Sequence, residues 1–160
     1  MEELTFKEIL YALDECFDGE GEDGGIFLEP EDPGIFSILA ALNAEEASRP
    51  IAGMSIANHV YHLIFALDVF VKRINLDKNA AHVDWSVSWQ ERPLNEAEWL
   101  DMKNELIRIR EESVSAARNY NACNVGYGEH LRLVMGLLTH TVFHLGIIRV
   151  KFDERLKGSG

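Results

Sequence analysis

Apolar residues recur every three or four positions in several stretches of the chain, which is the spacing of one face of an α-helix. No stretch has a convincing strand pattern. Capping residues mark three of the predicted helix starts, because Thr5 (with Glu8), Ser55 and Asn95 each precede a helical pattern. The pattern predicts long helices after Thr5, from Ser55 to Ile74, from Asn95 to Tyr120 and from Glu129 to Phe152, with a short one from Gly34 to Leu42.

Two segments between these helices are predicted to be loops because they are rich in glycine, proline and acidic or aromatic residues. Residues 18–34 are acidic and lack the ligand spacing of an EF-hand, so we interpret them as a solvated loop. Residues 76–94 carry Trp85 and Trp89, which are predicted to pack within the loop or to help shape a site. Residues 156–160 end in GSG and are predicted to form a flexible tail.

The length of the chain limits the architectures available to it. A chain of 160 residues suits a single domain and can bury a core without disulfides. Four long helices in one domain predict a four-helix bundle, with either antiparallel neighbours or a crossover connection. The last helix is apolar on nearly all sides, which indicates burial by several partners. We therefore expect one all-α domain over residues 1–160.

The charge of the chain argues against nucleic acids and anionic membranes as partners. There are 27 acidic residues against 15 Lys and Arg, giving a formal net charge of −12. Such a field repels phosphate backbones and anionic membranes, so binding to nucleic acid or membrane is not expected. The N-terminus lacks the pattern of a signal peptide, and the most apolar stretch, Leu133–Ile148, is shorter than the roughly 20 residues that span a bilayer. Two isolated cysteines, Cys16 and Cys123, favour a soluble protein of the reducing cytoplasm.

Histidines inside apolar helices are the feature of the sequence that most needs an explanation. An imidazole buried without partners for its ring nitrogens costs about 1–3 kcal/mol. His140 and His144 are four positions apart, so their rings share one helix face and their nitrogens can converge on one ion. Thr141 stands where an HExxH zinc protease carries glutamate, which excludes that class. The pair alone also fits core histidines that bond to backbone or water.

A second pair of histidines lies on the helix that begins at Ser55. His59 and His62 are three positions apart and share a helix face, so one of them can complete a three-nitrogen site, although spacing does not choose between them. Three protein ligands leave a coordination position open, which is typical of catalytic metal sites. His82 is interpreted as a surface imidazole and His130 as a cap contact.

Three short segments resemble the DinB/YfiT-like superfamily of bacterial metal-binding four-helix bundles. They are MSIANHVYHL, DWSVSWQERPLNEAEW and HTVFHLG. In the first, His62 falls on the family's ligand position, and in the last, His140, His144 and Gly146 match the motif of two histidines and a glycine. The resemblance extends from about Pro33 to about Lys151. Ile147 departs from it, because many relatives have glutamine there.

The resemblance implies a bundle with a crossover connection, a divalent ion such as nickel or zinc held by His62, His140 and His144, and a homodimer. His59 is then a hydrogen-bonding partner of a ligand, a substitute ligand or a core residue. The expected activity is that of a metal-dependent enzyme, such as a transferase in which a low-molecular-weight thiol or water attacks a small electrophile, or a hydrolase. The alternative is a non-catalytic stress-response protein that binds a metal or a small molecule.

Overall fold

The computed structural model describes residues 2–157 except 22–23, 78–79, 81, 91–92 and 120–125. These residues are mostly helical and form no strand, which confirms the all-α prediction for the described part of the chain. The helices are α1 (Glu2–Asp18), α2 (Ile35–Ala40), α3 (Ala44–Ser48), α4 (Ile56–Ile74), α5 (Glu96–Arg118) and α6 (Tyr127–Lys157), with a 3-10 segment (Trp85–Trp89) between α4 and α5.

Side-chain caps start two of the long helices where the sequence predicted them. Ser55 caps α4, and Asn95 caps α5 in a capping box with Glu98. The prediction that Thr5 caps the first helix was wrong, because α1 already begins at Glu2.

Helix α4 lies at the centre of the fold and packs most extensively against α5 and α6, while α1 packs against α6. Leu63 and Leu67 of α4 are fully buried in this core. The Trp99 side chain of α5 is also buried, and its Nε1–H donates to the Leu42 carbonyl at 2.9 Å. The long helices therefore share one hydrophobic core, whereas the crossover connection of the bundle stays a prediction.

The acidic loop after α1 is tied to the core by one buried carboxylate. Glu15 of α1 is 2% exposed and accepts hydrogen bonds from the backbone N–H groups of Ile26, Phe27 and Leu28. Three N–H donors compensate the loss of water around a buried carboxylate. Within the described residues, the loop is thus anchored at its second half rather than solvated throughout.

Helix α6 is longer than its sequence pattern predicted. It continues through Leu156 and Lys157, so these two residues of the predicted tail are helical, while 158–160 lie outside the described residues. The length and apolar composition of α6 would be enough for it to cross a membrane, and 33% of its most apolar segment is buried inside the fold. The core helix of a soluble protein meets the same criteria. The absence of membrane binding therefore stays a prediction.

Candidate metal centre

Three histidines from two neighbouring helices come together in the core. His62 projects from α4, and His140 and His144 project from one face of α6. One ring nitrogen from each histidine lies within 4.8 Å of the other two. The i, i+4 spacing aligns the pair on α6, and the packing of α6 on α4 supplies the third ring. This is the ligand set that the family resemblance implied, and metal binding by it stays a prediction.

Burial keeps these imidazoles neutral at physiological pH. His62 and His144 are 5% and 1% exposed. Burial, and next the proximity of the other imidazoles, lowers the pKa of His62 to about 4 and that of His144 to about 3. Burial also lowers the pKa of His140. A neutral imidazole offers the lone pair that a metal ion needs.

His140 contributes an unsatisfied nitrogen to the cluster. Its Nε2 atom is buried and has no hydrogen-bond partner. A buried polar atom without a partner costs about 1–3 kcal/mol, which native structures rarely accept without compensation. A cation coordinated by this atom would provide the compensation, so the donor set fits a metal ion.

The segment between α4 and α5 determines which nitrogen of His62 carries the proton. His62 Nδ1 lies 2.7 Å from Ser88 Oγ, and the same hydroxyl donates to the Trp85 carbonyl at 2.7 Å. A carbonyl only accepts, so the single hydroxyl proton is already used and Oγ accepts from Nδ1–H. The lone pair of His62 is therefore on Nε2. Outer hydrogen bonds of this kind orient metal-binding histidines in proteins.

His59 contacts the cluster of His62, His140 and His144 through a hydrogen bond with His144. Its Nδ1 lies 3.3 Å from Nδ1 of His144, and it is not one of the three histidines whose nitrogens group together. One of these two nitrogens must donate. If His144 donates, its Nε2 lone pair is free for a metal ion and His59 accepts. The geometry therefore favours His59 as the hydrogen-bonding partner of a ligand over His59 as a ligand.

Trp89 covers the cluster from the side of the 3-10 segment. Its ring stacks on His62, with centroids 3.9 Å apart and planes at 18°, and meets His59 edge to face at 5.4 Å. Asn58 fastens this cover to α4, because its Nδ2 donates to the Gln90 carbonyl at 2.7 Å. The result is an aromatic wall over one side of the histidines.

One contributor to the site was missed by the sequence reasoning, because Ser88 was not considered. Trp89 was predicted to pack within its loop or to help shape a site, and its ring stacks on His62. The segment DWSVSW, where Asp84 caps a short helical turn, was the available signal for a structured element at this place. Nothing in the spacing indicated that the turn would meet α4 at His62.

A buried lysine holds the turn that leads into α4. The Lys151 ammonium of α6 donates to the backbone carbonyls of Ile51 and Ala52. Ala52 has a φ of 47°, a strained value for a residue with a side chain. Burial lowers the pKa of Lys151, and burial first and the Lys151 charge second lower the pKa of His59 to about 4.

The other two histidines lie outside the cluster. His82 is exposed in a loop, as predicted. His130 is fully buried near the start of α6, where it contacts the Phe6 ring edge to face and its Nε2–H donates to the Ala117 carbonyl at 3.0 Å. His130 therefore bonds a carbonyl in the last turn of α5, so it makes a buried cap contact between two helices.

Searches of the whole chain against protein-family models, curated proteins and solved structures find no match.

Proposed function

We propose that this protein is a divalent-metal-dependent enzyme whose ion is held by His62, His140 and His144. The observation that carries the proposal is the convergence of three buried ring nitrogens within 4.8 Å of one another. The buried Nε2 of His140 has no hydrogen-bond partner, and the Ser88 contact leaves the lone pair of His62 on Nε2. Imidazole donors suit zinc and nickel, and three of them leave a coordination position open.

The surrounding residues have separate tasks in this proposal. Ser88 holds the proton of His62 on Nδ1, and His59 accepts the Nδ1 proton of His144. Trp89 excludes water from one side of the cluster, which strengthens electrostatic interactions inside it. A bound divalent ion lowers the pKa of a water or thiol in its open position, and so supplies a nucleophile near neutral pH.

The reaction class that we propose is transfer of a low-molecular-weight thiol to a small electrophile. Support comes from the resemblance of the motifs around His62, Trp89 and His140 to the DinB/YfiT-like superfamily. The same resemblance supports a crossover-connected bundle, a homodimer and a cytoplasmic location. Hydrolysis of a small ester or amide is the related reaction that the same donor set supports.

Metal content tests the site directly. Elemental mass spectrometry of untagged protein should find about one divalent ion per chain, since three protein nitrogens and an open position define a single site. His62→Ala and His144→Ala should lose the ion, whereas His82→Ala, an exposed histidine away from the cluster, should retain it. Wild-type protein without metal after incubation with zinc or nickel would contradict the proposal.

The reaction class needs a second measurement. Wild-type protein loaded with zinc or nickel should consume glutathione, mycothiol or bacillithiol in the presence of alkyl halide or epoxide acceptors, and His140→Ala should not. A loaded protein that turns over none of these pairs, while retaining its ion, would reject thiol transfer and leave the metal site standing.

A non-catalytic metal- or small-molecule-binding stress-response protein is the second candidate. The burial of His62 and His144 and the stacked Trp89 favour it, because a covered site restricts access for a substrate. Exchange of a ligand at the ion separates the two functions. Binding of a small thiol to the loaded protein, seen by absorption spectroscopy of the cobalt-substituted form, together with its turnover supports the enzyme. Binding without turnover, or no binding, supports the non-catalytic protein.

A further inference from the structure

One face of α6 is exposed along most of the helix and is uncharged over its central part. Successive residues of a helix are about 100° apart, and the side chains of this face lie within roughly 50° of one line along the helix. Two of them are large and mostly exposed, Phe143 at 61% and Val150 at 62%. The exposed α6 stripe consists of Arg132, Met135, Thr139, Val142, Phe143, Gly146, Val150 and Asp153.

Gly146 lies in the middle of this stripe, and no contact within the chain requires a glycine there. A Cβ atom added there would meet nothing within 4 Å. Glycine in the middle of a helix costs about 0.5–1 kcal/mol relative to alanine. By contrast, a Cβ at Gly136 on the same helix would come within 2.8 Å of the Phe70 side chain. Gly146 therefore suits the close approach of something outside the chain.

The stripe is complementary to a second copy of itself that runs in the opposite direction. When two copies of α6 lie antiparallel about a two-fold axis between Val142 and Phe143, each residue faces the one at an equal distance beyond the axis. Thr139 then faces Gly146, and Met135 faces Val150. At both ends, Arg132 faces Asp153, so opposite charges meet. The register that aligns the apolar residues of the two stripes therefore also pairs the charges at the two ends.

We propose that the exposed α6 stripe binds the same stripe of a second copy of this chain, antiparallel, about a two-fold axis between Val142 and Phe143. The contact is isologous, so it closes at two chains. Thr139 and Gly146 allow close approach of the helices on either side of the axis, in the way that small residues do in tightly packed helix pairs. A lipid surface would use the apolar part of the stripe but would not need opposite charges at its ends.

Sedimentation equilibrium over a concentration series tests the association. Wild type should approach twice the chain mass of 18.1 kDa. Val142→Glu should shift the equilibrium towards monomer by at least about tenfold in dissociation constant, because two like charges then lie beside the axis. Leu100→Glu on α5 is the matched control, since Leu100 is also exposed, and should leave the equilibrium unchanged. Retained metal content in Val142→Glu separates this result from the fate of the metal site.

Charge reversal tests the register. Arg132→Glu and Asp153→Arg should each weaken the dimer, and the double variant should recover most of the wild-type dissociation constant, because the pairs across the axis are then restored in reverse. Gly146→Leu should weaken the dimer while its isolated chain folds normally, since the monomer has room for the side chain.

Three results would overturn the proposal. They are a monomeric wild type, a dimer unaffected by Val142→Glu and Gly146→Leu, and charge reversals that do not compensate each other. Co-sedimentation of a monomeric wild type with neutral phosphatidylcholine vesicles, lost in Val142→Glu, would instead assign the stripe to a lipid surface.

Discussion

At the scale of single residues, the site depends on where two imidazole protons are held. Ser88 accepts the Nδ1 proton of His62 because its own proton is donated to the Trp85 carbonyl. In the proposed site, His144 donates from Nδ1 to His59 Nδ1. Both contacts then leave the free lone pair of the ligand on Nε2. Removing one of these partners should therefore change metal affinity without removing a ligand.

Ser88→Ala should weaken zinc or nickel binding by about 10- to 100-fold, the range found when outer hydrogen-bond partners of metal ligands are removed. The His62 Nδ1–H would lose its acceptor in a buried place, and the ring would no longer be held in one tautomer. Competition titration with a chromophoric chelator measures the affinity. Ser86→Ala, which removes an exposed hydroxyl bonded to Asp84, should bind like wild type. Equal affinity of Ser88→Ala and wild type would contradict the assigned role.

The neutral imidazoles also predict how stability depends on pH. The pKa of His59 and of His62 falls to about 4 on folding, chiefly through burial, whereas an unfolded histidine titrates near 6.5. Between these values the unfolded chain binds more protons, so metal-free protein should lose stability as the pH falls from about 6.5 towards 4. Carboxyl groups with lowered pKa, such as Asp32 and Glu46, reduce stability only from about pH 4.5 downwards, where unfolded carboxyls take up protons.

Urea unfolding of chelator-treated protein between pH 7.5 and 4.5 measures this dependence. His59→Asn should reduce the slope of unfolding free energy against pH, because one of the groups that takes up a proton on unfolding is gone. The exposed His82→Asn should retain the wild-type slope. A wild-type free energy of unfolding that stays constant down to pH 4.5 would rule out the neutral cluster.

At the scale of elements, the N-terminus of α4 positions the site. Ser55 caps the helix through the Asn58 N–H, and Asn58 in turn fastens the segment that carries Ser88. Lys151 holds the turn just before the cap. The helix end and the aromatic cover are thus one connected unit, only one turn away from His62.

Ser55→Ala should cost about 1 kcal/mol of unfolding free energy, the usual effect of removing an N-cap side chain. Chemical denaturation of the metal-free protein gives the value. Ser37→Ala, in an exposed position of α2 with no side-chain cap role, should lie within about 0.5 kcal/mol of wild type. Equal midpoints for the two variants would show that the Ser55 cap contributes nothing.

At the scale of the whole molecule, the candidate ligands come from two helices that are far apart in the chain. His62 belongs to α4 and His140 and His144 belong to α6, so an ion at the cluster would cross-link the two helices with the most extensive packing to the core. An ion that binds only the folded chain adds its binding free energy to the stability of the fold. Metal binding should therefore be visible in thermal unfolding.

Zinc or nickel at about 100 times its dissociation constant should add about 2.7 kcal/mol and raise the Tm by roughly 5–10 °C. Differential scanning calorimetry with and without the ion measures the shift. His140→Ala should show no shift, because its Nε2 is one of the proposed ligands. The same shift in wild type and His140→Ala would place the binding elsewhere in the molecule.

The positions of several helices follow from local patterns in the amino-acid sequence. Helix period and caps predicted α4 and α5 to within two residues of the observed ends, because both are set by contacts between residues three or four apart. The same range of contact placed His140 and His144 on one face of α6. The first helix begins earlier than the Thr5 capping pattern predicted.

Only the tertiary structure decided which residues of different helices and segments contact one another. Spacing left His59 and His62 equivalent, and the packing of α4 against α6 brought His62 into the cluster and left His59 beside His144. Ser88 reached His62 across a separation of 26 residues, and no periodicity encodes such a contact. Local pattern specifies which face of a helix is apolar. The angle and register at which two faces meet depend on the packing of the complete core, and that packing determines the site.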